Sequence, residues 1–204
     1  VLLINGSPHE KGCTYTALSL IAGELKAQGI ETEILHVGGQ PVGGCIGCGG
    51  CRSGNGCVFG GVVNEAIEKA KTADAFVFGS PVHYASAAGN MASFMDRLAY
   101  AGGKYLAYKP AAVCCSARRA GTTSTLDQLV KYPQFFHMPL VNGSYWAMVH
   151  GSNPEQVLQD AEGCAVMQEL GRNMAWLLHC IEAGKAAGID HPQNPPRPMT
   201  SFIR

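Results

Sequence analysis

The chain has 204 residues, 47% of them hydrophobic, which is enough for one sizeable core and points to a single domain. Its 15 basic and 15 acidic side chains balance, so the electrostatic signature of a nucleic-acid partner or an anionic membrane surface is missing, and a small molecule is the expected partner. No apolar run approaches the roughly 20 residues of a bilayer span, and the opening VLLINGSP has neither the basic region nor the cleavage site of a secretion signal; a cytoplasmic location is expected.

VLLI (1–4) is a short unbroken apolar run closed by Asn5 and Gly6, the pattern of a strand buried on both faces. Leu18, Ile21, Ala22 and Leu25 recur at helical spacing, and Gly29 stands where that helix should stop. The cycle repeats. IETEILHV is strand-like, Val63, Ala66, Ile67 and Ala70 mark a helix face, AFVFGSP reads as a buried strand, and Phe94 and Leu98 lie on the next helix. AAVCCS forms a fourth strand, followed by the helical stripe Leu126, Leu129 and Val130. PLVNGSYW reads as the last strand, ahead of a long helical region from about Pro154 to Gly188. These units bound a domain at 1–190. The remaining HPQNPPRPMTSFIR (191–204) is proline-rich and expected to be an extended tail, over the surface or onto a second subunit.

Strands alternating with helices imply right-handed crossovers between parallel strands, hence an α/β, doubly wound five-stranded parallel sheet. Ligands of such sheets bind beyond the carboxyl ends of the strands. There, NGSPHEKGCT (5–14) opens the first helix, where unpaired N–H groups favour an anion, with Ser7, Thr14 and Lys11 as further donors. Alone it fits an ordinary turn with a capping threonine equally well, and it is neither a Walker loop nor a dinucleotide-binding glycine turn. GSPVHYASAAGNMASFMDR (79–97) adds Pro81, His83, Tyr84 and a run of small residues; SARRAGTT (116–123) adds hydroxyls and two arginines. Together these suit a phosphorylated planar heterocycle.

CIGCGGCRSGNGC (45–57) places four of the nine cysteines within thirteen positions. In a reducing cytosol such a cluster points to metal binding or redox chemistry rather than disulfides.

These segments resemble the flavodoxin-like NAD(P)H-dependent FMN reductases, and within them the iron–sulfur flavoprotein branch. NGSPHEKGCT is similar to the family's GSPR-x-x-G-x-T loop, SPVHYASAAGNMASFMDR to its SPVYY and K-x-FxDR segment, and CIGCGGCRSGNGC to the compact cysteine spacing of that branch. The likeness spans roughly 1–130, and is weaker in SYWAMVHG and the final helix. It implies that Ser7, His9, Lys11, Cys13 and Thr14 surround the phosphate of FMN, with His9 in the family's arginine position making that contact pH-sensitive. It further implies that Pro81, Val82, His83 and Tyr84 flank the flavin ring. Ser116, Ala117, Arg118 and Gly121 would lie near its pyrimidine end, with Arg119 as the alternative cation. The implied activity is flavin-borne electron transfer from NAD(P)H or a reduced carrier to a small-molecule or electron-carrier acceptor, requiring no catalytic side chain. A non-enzymatic electron-transfer or redox-sensing flavoprotein, or a flavin reductase without a bound cluster, is the alternative.

Cys45, Cys48, Cys51 and Cys57 are the expected ligands of one 4Fe-4S cluster: cubane clusters take four thiolates, and the interleaved glycines let the loop wrap tightly. Zinc competes for such spacing, although zinc sites generally use two separated pairs. Cys114, Cys115, Cys164 and Cys180 read as packing residues, His150 as a loop or core histidine, Asp96-Arg97 as a hold on a helix end or a subunit contact, or a structural salt bridge, and Met91, Met95 and Met174 as core or interface filler. The apolar ASAAGNMASFM and the tail offer surface for a homodimer or homotetramer.

Overall fold

The computed structural model describes residues 1–196, 198–200 and 202. In β1 (Leu2–Asn5), Leu2 and Ile4 enter one core and Leu3 the other, the alternation a pleated strand imposes. β2 (Glu33–His36) and β3 (Phe76–His83) flank β1 in parallel. β4 (Ser86–Ala87) turns back antiparallel on the end of β3. β5 (Ala111–Ala117) and β6 (Met148–His150) complete the sheet, giving the spatial order β2-β1-β3-β5-β6. Four of the five parallel strands are those expected, the fifth forming later in the chain, at Met148–His150; the short β3–β4 hairpin is an addition.

Helices cover both faces. α1 (Cys13–Ala27) buries Leu18, Ile21 and Leu25 beside Val77, Cys114 and Val149, under α6 (Ala161–Ala186) with its Met167, Leu170 and Met174. On the other face α2 (Val62–Thr72), α3 (Gly89–Gly102) and α4 (Thr122–Phe135) pack around Phe76, Phe78 and Phe94, all fully buried. Each such side chain contributes about 1.5–3 kcal/mol relative to exposure. The strand order reverses at β1, so the crevice between the carboxyl ends of β1 and β3 is the ligand site this architecture provides.

Two expectations are corrected. PLVNGSYW is not a continuous strand. Leu140 makes an isolated bridge to Ala111, and the chain then leaves the sheet until Met148. The cause is local. Asn142 and Ser144 bond to α6 instead, the Asn142 carbonyl accepting from Asn173 at 2.8 Å and the Ser144 N–H donating to Glu169 at 2.8 Å. The final helical region is also split, because Asn153 caps a single turn, α5 (Pro154–Val157), and Asp160 then caps α6 by accepting from the Gly163 N–H at 2.9 Å.

After α6 the chain lies on its own domain at the amino end of β5, where His191 stacks on Tyr108 with ring centroids 4.4 Å apart and Asn194 donates to the Tyr108 hydroxyl. Arg197, Ser201, Ile203 and Arg204 of the expected tail lie outside the described residues. Among the described residues no helix is long and apolar enough to cross a membrane.

Candidate functional site

The loop after β1 is built by its own side chains. Asn5, fully buried, accepts from the Ser7 N–H at 3.1 Å and donates to the Glu10 carbonyl at 2.9 Å. The Ser7 hydroxyl accepts from the His9 N–H at 3.1 Å, and His36 Nε2, at the end of β2, donates to the Ser7 carbonyl at 2.7 Å. Gly12 opens α1 with extended backbone, no side chain caps the helix, and no acidic residue occupies its first turn. The free N–H groups and the positive end of the helix dipole are thus left for an anion. Thr14 and Ser116 share a buried hydroxyl–hydroxyl bond of 2.8 Å that ties this loop to the end of β5, and one proton of the pair stays free to donate. His9 and Lys11 are exposed at the rim. Cys13 donates to the Gly151 carbonyl, and burial pushes its thiol up, so it adds no negative charge beside the loop.

The ring-bearing segment is a hairpin. β3 continues through Pro81, Val82 and His83, and Tyr84 and Ala85, with φ of 51° and 59°, form the two-residue turn into β4. Left-handed backbone costs a non-glycine residue about 1–2 kcal/mol, so such a turn persists only where its surroundings over-determine it. They do here: Ser124 Oγ donates to the Ala85 carbonyl at 2.7 Å, and Gln128 accepts from the Ala87 N–H and the Ser86 hydroxyl. Gly121 packs so tightly that a Cβ there would come 2.7 Å from Ala85 Cα. Between this hairpin and residues 117–120 lies an open cleft of about 320 Å³, lined by Val82 and Tyr84 on one side and Arg118 and Arg119 on the other. Tyr84 is wholly exposed. His150 does not reach into the cleft. Its Nε2 donates to the Arg119 carbonyl at 3.1 Å and its Nδ1 lies 3.5 Å from Asp160, so it braces the arginine loop against α6.

The cysteine loop leaves β2 against the phosphate loop: a Cβ on Gly38 would stand 2.1 Å from the Ser7 carbonyl oxygen. Asn90 of α3 grips the segment that follows, donating to the Gly38 and Gln40 carbonyls at 3.1 and 3.0 Å and accepting from the Val42 N–H at 3.2 Å. Cys45 and Cys48 are exposed, and Cys51 is half-buried in a 3-10 turn at Gly50–Ser53. Among the described hydrogen bonds, Cys57 is the one of the four cysteines fixed by residues outside the loop. Asn64 holds both its N–H and its carbonyl, at 2.8 and 3.0 Å, and Arg97 Nε donates to its sulfur at 3.2 Å.

The donor set suits an iron–sulfur cluster, four thiols with no carboxylate or imidazole between 45 and 57, on a loop where Gly47, Gly49, Gly54 and Gly56 all have positive φ. The four sulfurs are not, however, drawn together: among the described residues no group of three or more His, Cys, Asp or Glu is gathered so as to hold a metal ion.

The expected Asp96-Arg97 salt bridge is absent among the described ion pairs. Asp96 instead accepts from the Tyr132 hydroxyl at 2.6 Å, because adjacent helical residues point to different sides. Cys114 and Cys115 are buried with thiols pushed well up by desolvation, and Met91, Met95 and Met174 are core. Cys164 is partly buried and donates to the Val157 carbonyl, whereas Cys180, expected to pack, is exposed on α6. Asn5, His36, Asn64 and Asn90 escaped the sequence reading, since nothing in their local pattern marks a residue that holds someone else's backbone.

A parallel sheet in this order, with its ligand loops gathered at the β1–β3 crevice, defines a flavodoxin-like protein. Residues 1–153 match the NADPH-dependent FMN reductase family, and the chain belongs to that family of flavin-dependent oxidoreductases. It is 27% identical over 190 residues to an iron–sulfur flavoprotein of Methanocaldococcus jannaschii, covering 89% of this chain and 98% of the relative. An iron–sulfur flavoprotein of Archaeoglobus fulgidus is 35% identical over 97 residues, 48% of this chain and 47% of that one. Among solved structures, RosB with a bound formyl-riboflavin phosphate intermediate superposes with a TM-score of 0.69 at 14% identity, covering 100% of this chain and 93% of RosB.

Proposed function

We propose that this chain is an FMN oxidoreductase that moves electrons between NAD(P)H or a reduced electron carrier and a small-molecule or carrier acceptor, with a 4Fe-4S cluster on Cys45, Cys48, Cys51 and Cys57 as a second redox centre. The observation that carries this reading is that the segment bearing the cysteines leaves β2 at the same carboxyl edge where the loop after β1 begins, Gly38 touching Ser7 at its start. The names of the archaeal relatives support it.

Bound FMN supplies hydride and single-electron exchange. The protein's part is to bind, orient and set charge. The α1 amino terminus with Ser7, Lys11, Cys13 and Thr14 would receive the phosphate, and His9 at the rim would add a pH-sensitive contact. The hairpin Pro81, Val82, His83 and Tyr84 would line one side of the flavin ring. Ser116, Ala117, Arg118 and Gly121 would lie near its pyrimidine end, with Arg118 or Arg119, which line the cleft beside the hairpin, as the cation that stabilises negative charge on it. No side chain is assigned as general acid or nucleophile.

Of the segment expected to offer an oligomer surface, Ala87, Ala88, Met91, Phe94 and Met95 are buried in the core; exposed Ile46, Val58 and Phe59 around the cysteine loop support a homodimer or homotetramer instead, which sedimentation at micromolar concentration would test against a 21.5 kDa species. The function is tested by anaerobic mixing of the flavin-loaded protein with NADH, NADPH or reduced ferredoxin. Bleaching by a nicotinamide supports the enzyme, whereas reduction by ferredoxin alone makes it an electron carrier.

A further inference from the structure

Arg97 is 6% exposed, capped by Phe59 at 5.5 Å from the ring centroid, and it forms no ion pair among the described residues. A buried cation without a counter-charge is costly, so an anion is expected within its reach. Its neighbours are informative. Nε donates to Cys57 Sγ at 3.2 Å, Nη1 to the Gly43 carbonyl at 3.4 Å and Nη2 to the Gly60 carbonyl at 3.0 Å. One guanidinium thus joins the entry to the cysteine loop, its exit and the sulfur of its last cysteine. Asn90, two helical turns earlier on the same face of α3, holds the chain just before that entry.

We propose that Arg97 is the positioning residue and counter-cation of the cysteine site. It fixes Cys57 as the anchor on which the 45–51 turn closes, and it compensates the negative charge that four thiolates bring. This rests on the cluster reading above. A hydrogen bond and a positive charge at a ligating sulfur favour the more negative, reduced cluster, so Arg97 raises its reduction potential. Because α3 begins directly after the β3–β4 hairpin, the same helix carries the register of the ring segment to the cysteine loop.

The test compares wild type with Arg97→Gln and Arg97→Lys after anaerobic reconstitution with iron and sulfide. Three quantities are read: iron retained against a chelator, cluster midpoint potential by electron paramagnetic resonance, and FMN content as the check on folding. Arg97→Gln should weaken iron retention about 10-fold or more, the usual cost of removing a metal ligand's partner, and shift the potential negative. Arg97→Lys should recover part of the potential, through its charge, but not the retention, which needs the fork. Retention and potential equal to wild type in flavin-loaded variants would overturn the proposal. Should wild type itself take up no iron, the cluster reading fails, and the anchor is judged separately by trypsin cleavage at exposed Arg52 in the iron-free proteins. Faster cleavage in both variants supports the anchor, and equal rates overturn it.

Discussion

The loop after β1 and the cysteine loop after β2 leave the same edge of the sheet, yet they are built in opposite ways. Residues 5–14 are shaped by Asn5, Ser7, His36 and the Thr14–Ser116 pair, all buried or partly so, before any ligand enters. Among the described hydrogen bonds, residues 45–51 join only the adjoining residues 52–54, as in Ser53 Oγ to the Gly50 carbonyl and the Arg52 N–H to the Gly49 carbonyl, and expose two of their three cysteines. The difference is one of energetics. A loop that receives a soluble cofactor gains affinity by being preorganised, whereas a loop whose ligands bond covalently to metal can leave its ordering to the metal, because binding free energy is then folding free energy.

The largest effect expected from this contrast is all-or-none. Replacing Cys45, Cys48 and Cys51 together with serine should abolish iron uptake while leaving FMN content at the wild-type level, measured by metal analysis and by chromatography of the released flavin. Loss of both cofactors would mean that the two loops fold as one unit. Next, Gly38→Ala strikes the point where the segment leading to the cysteines passes the loop after β1, since its Cβ would collide with the Ser7 carbonyl oxygen. It should destabilise the fold by about 1–3 kcal/mol, as overpacking does, and damage FMN binding as well as iron uptake; unchanged denaturant midpoints would show that the contact relaxes freely.

Ser7→Ala with Thr14→Ala should weaken FMN binding by about 1–3 kcal/mol, the range for hydrogen bonds to a charged group, without touching iron. Fluorescence titration of flavin into the apoprotein reads it, and wild-type affinity would move the phosphate elsewhere. Smallest of all, Ala85→Gly should raise the free energy of unfolding by about 1 kcal/mol or less, because relief of left-handed strain is partly offset by glycine's greater unfolded-state entropy. A clear loss of stability would mean that the Ala85 methyl packs more strongly than its backbone is strained.

What the sequence disclosed follows the same divide. Leu18, Ile21 and Leu25, Val63 and Ile67, and Phe76 and Phe78 announced their elements because burial on a repeating geometry leaves a periodic trace. The loops after β1, β3 and β5 were legible as motifs, since each is a local run at a strand end. The hairpin turn was not: Tyr84 and Ala85 adopt left-handed backbone without a glycine or asparagine to signal it, held there by Ser124 and Gln128 some forty residues away. Nor was Arg97, whose neighbour Asp96 suggested a salt bridge while its true partners lie 37 to 54 positions upstream. Long-range polar grips of this kind depend on which elements pack together, and single-sequence pattern does not carry that information.

The central claim is that one chain holds a flavin and a cluster that both take up electrons. It is tested most directly by anaerobic reductive titration of the reconstituted protein, following flavin absorbance and cluster resonance together. The account predicts about three electrons per chain, two for the flavin and one for the cluster, with a resonance that disappears in the triple serine variant. Uptake of about two electrons by wild type, with no cluster resonance at any stage, would contradict it.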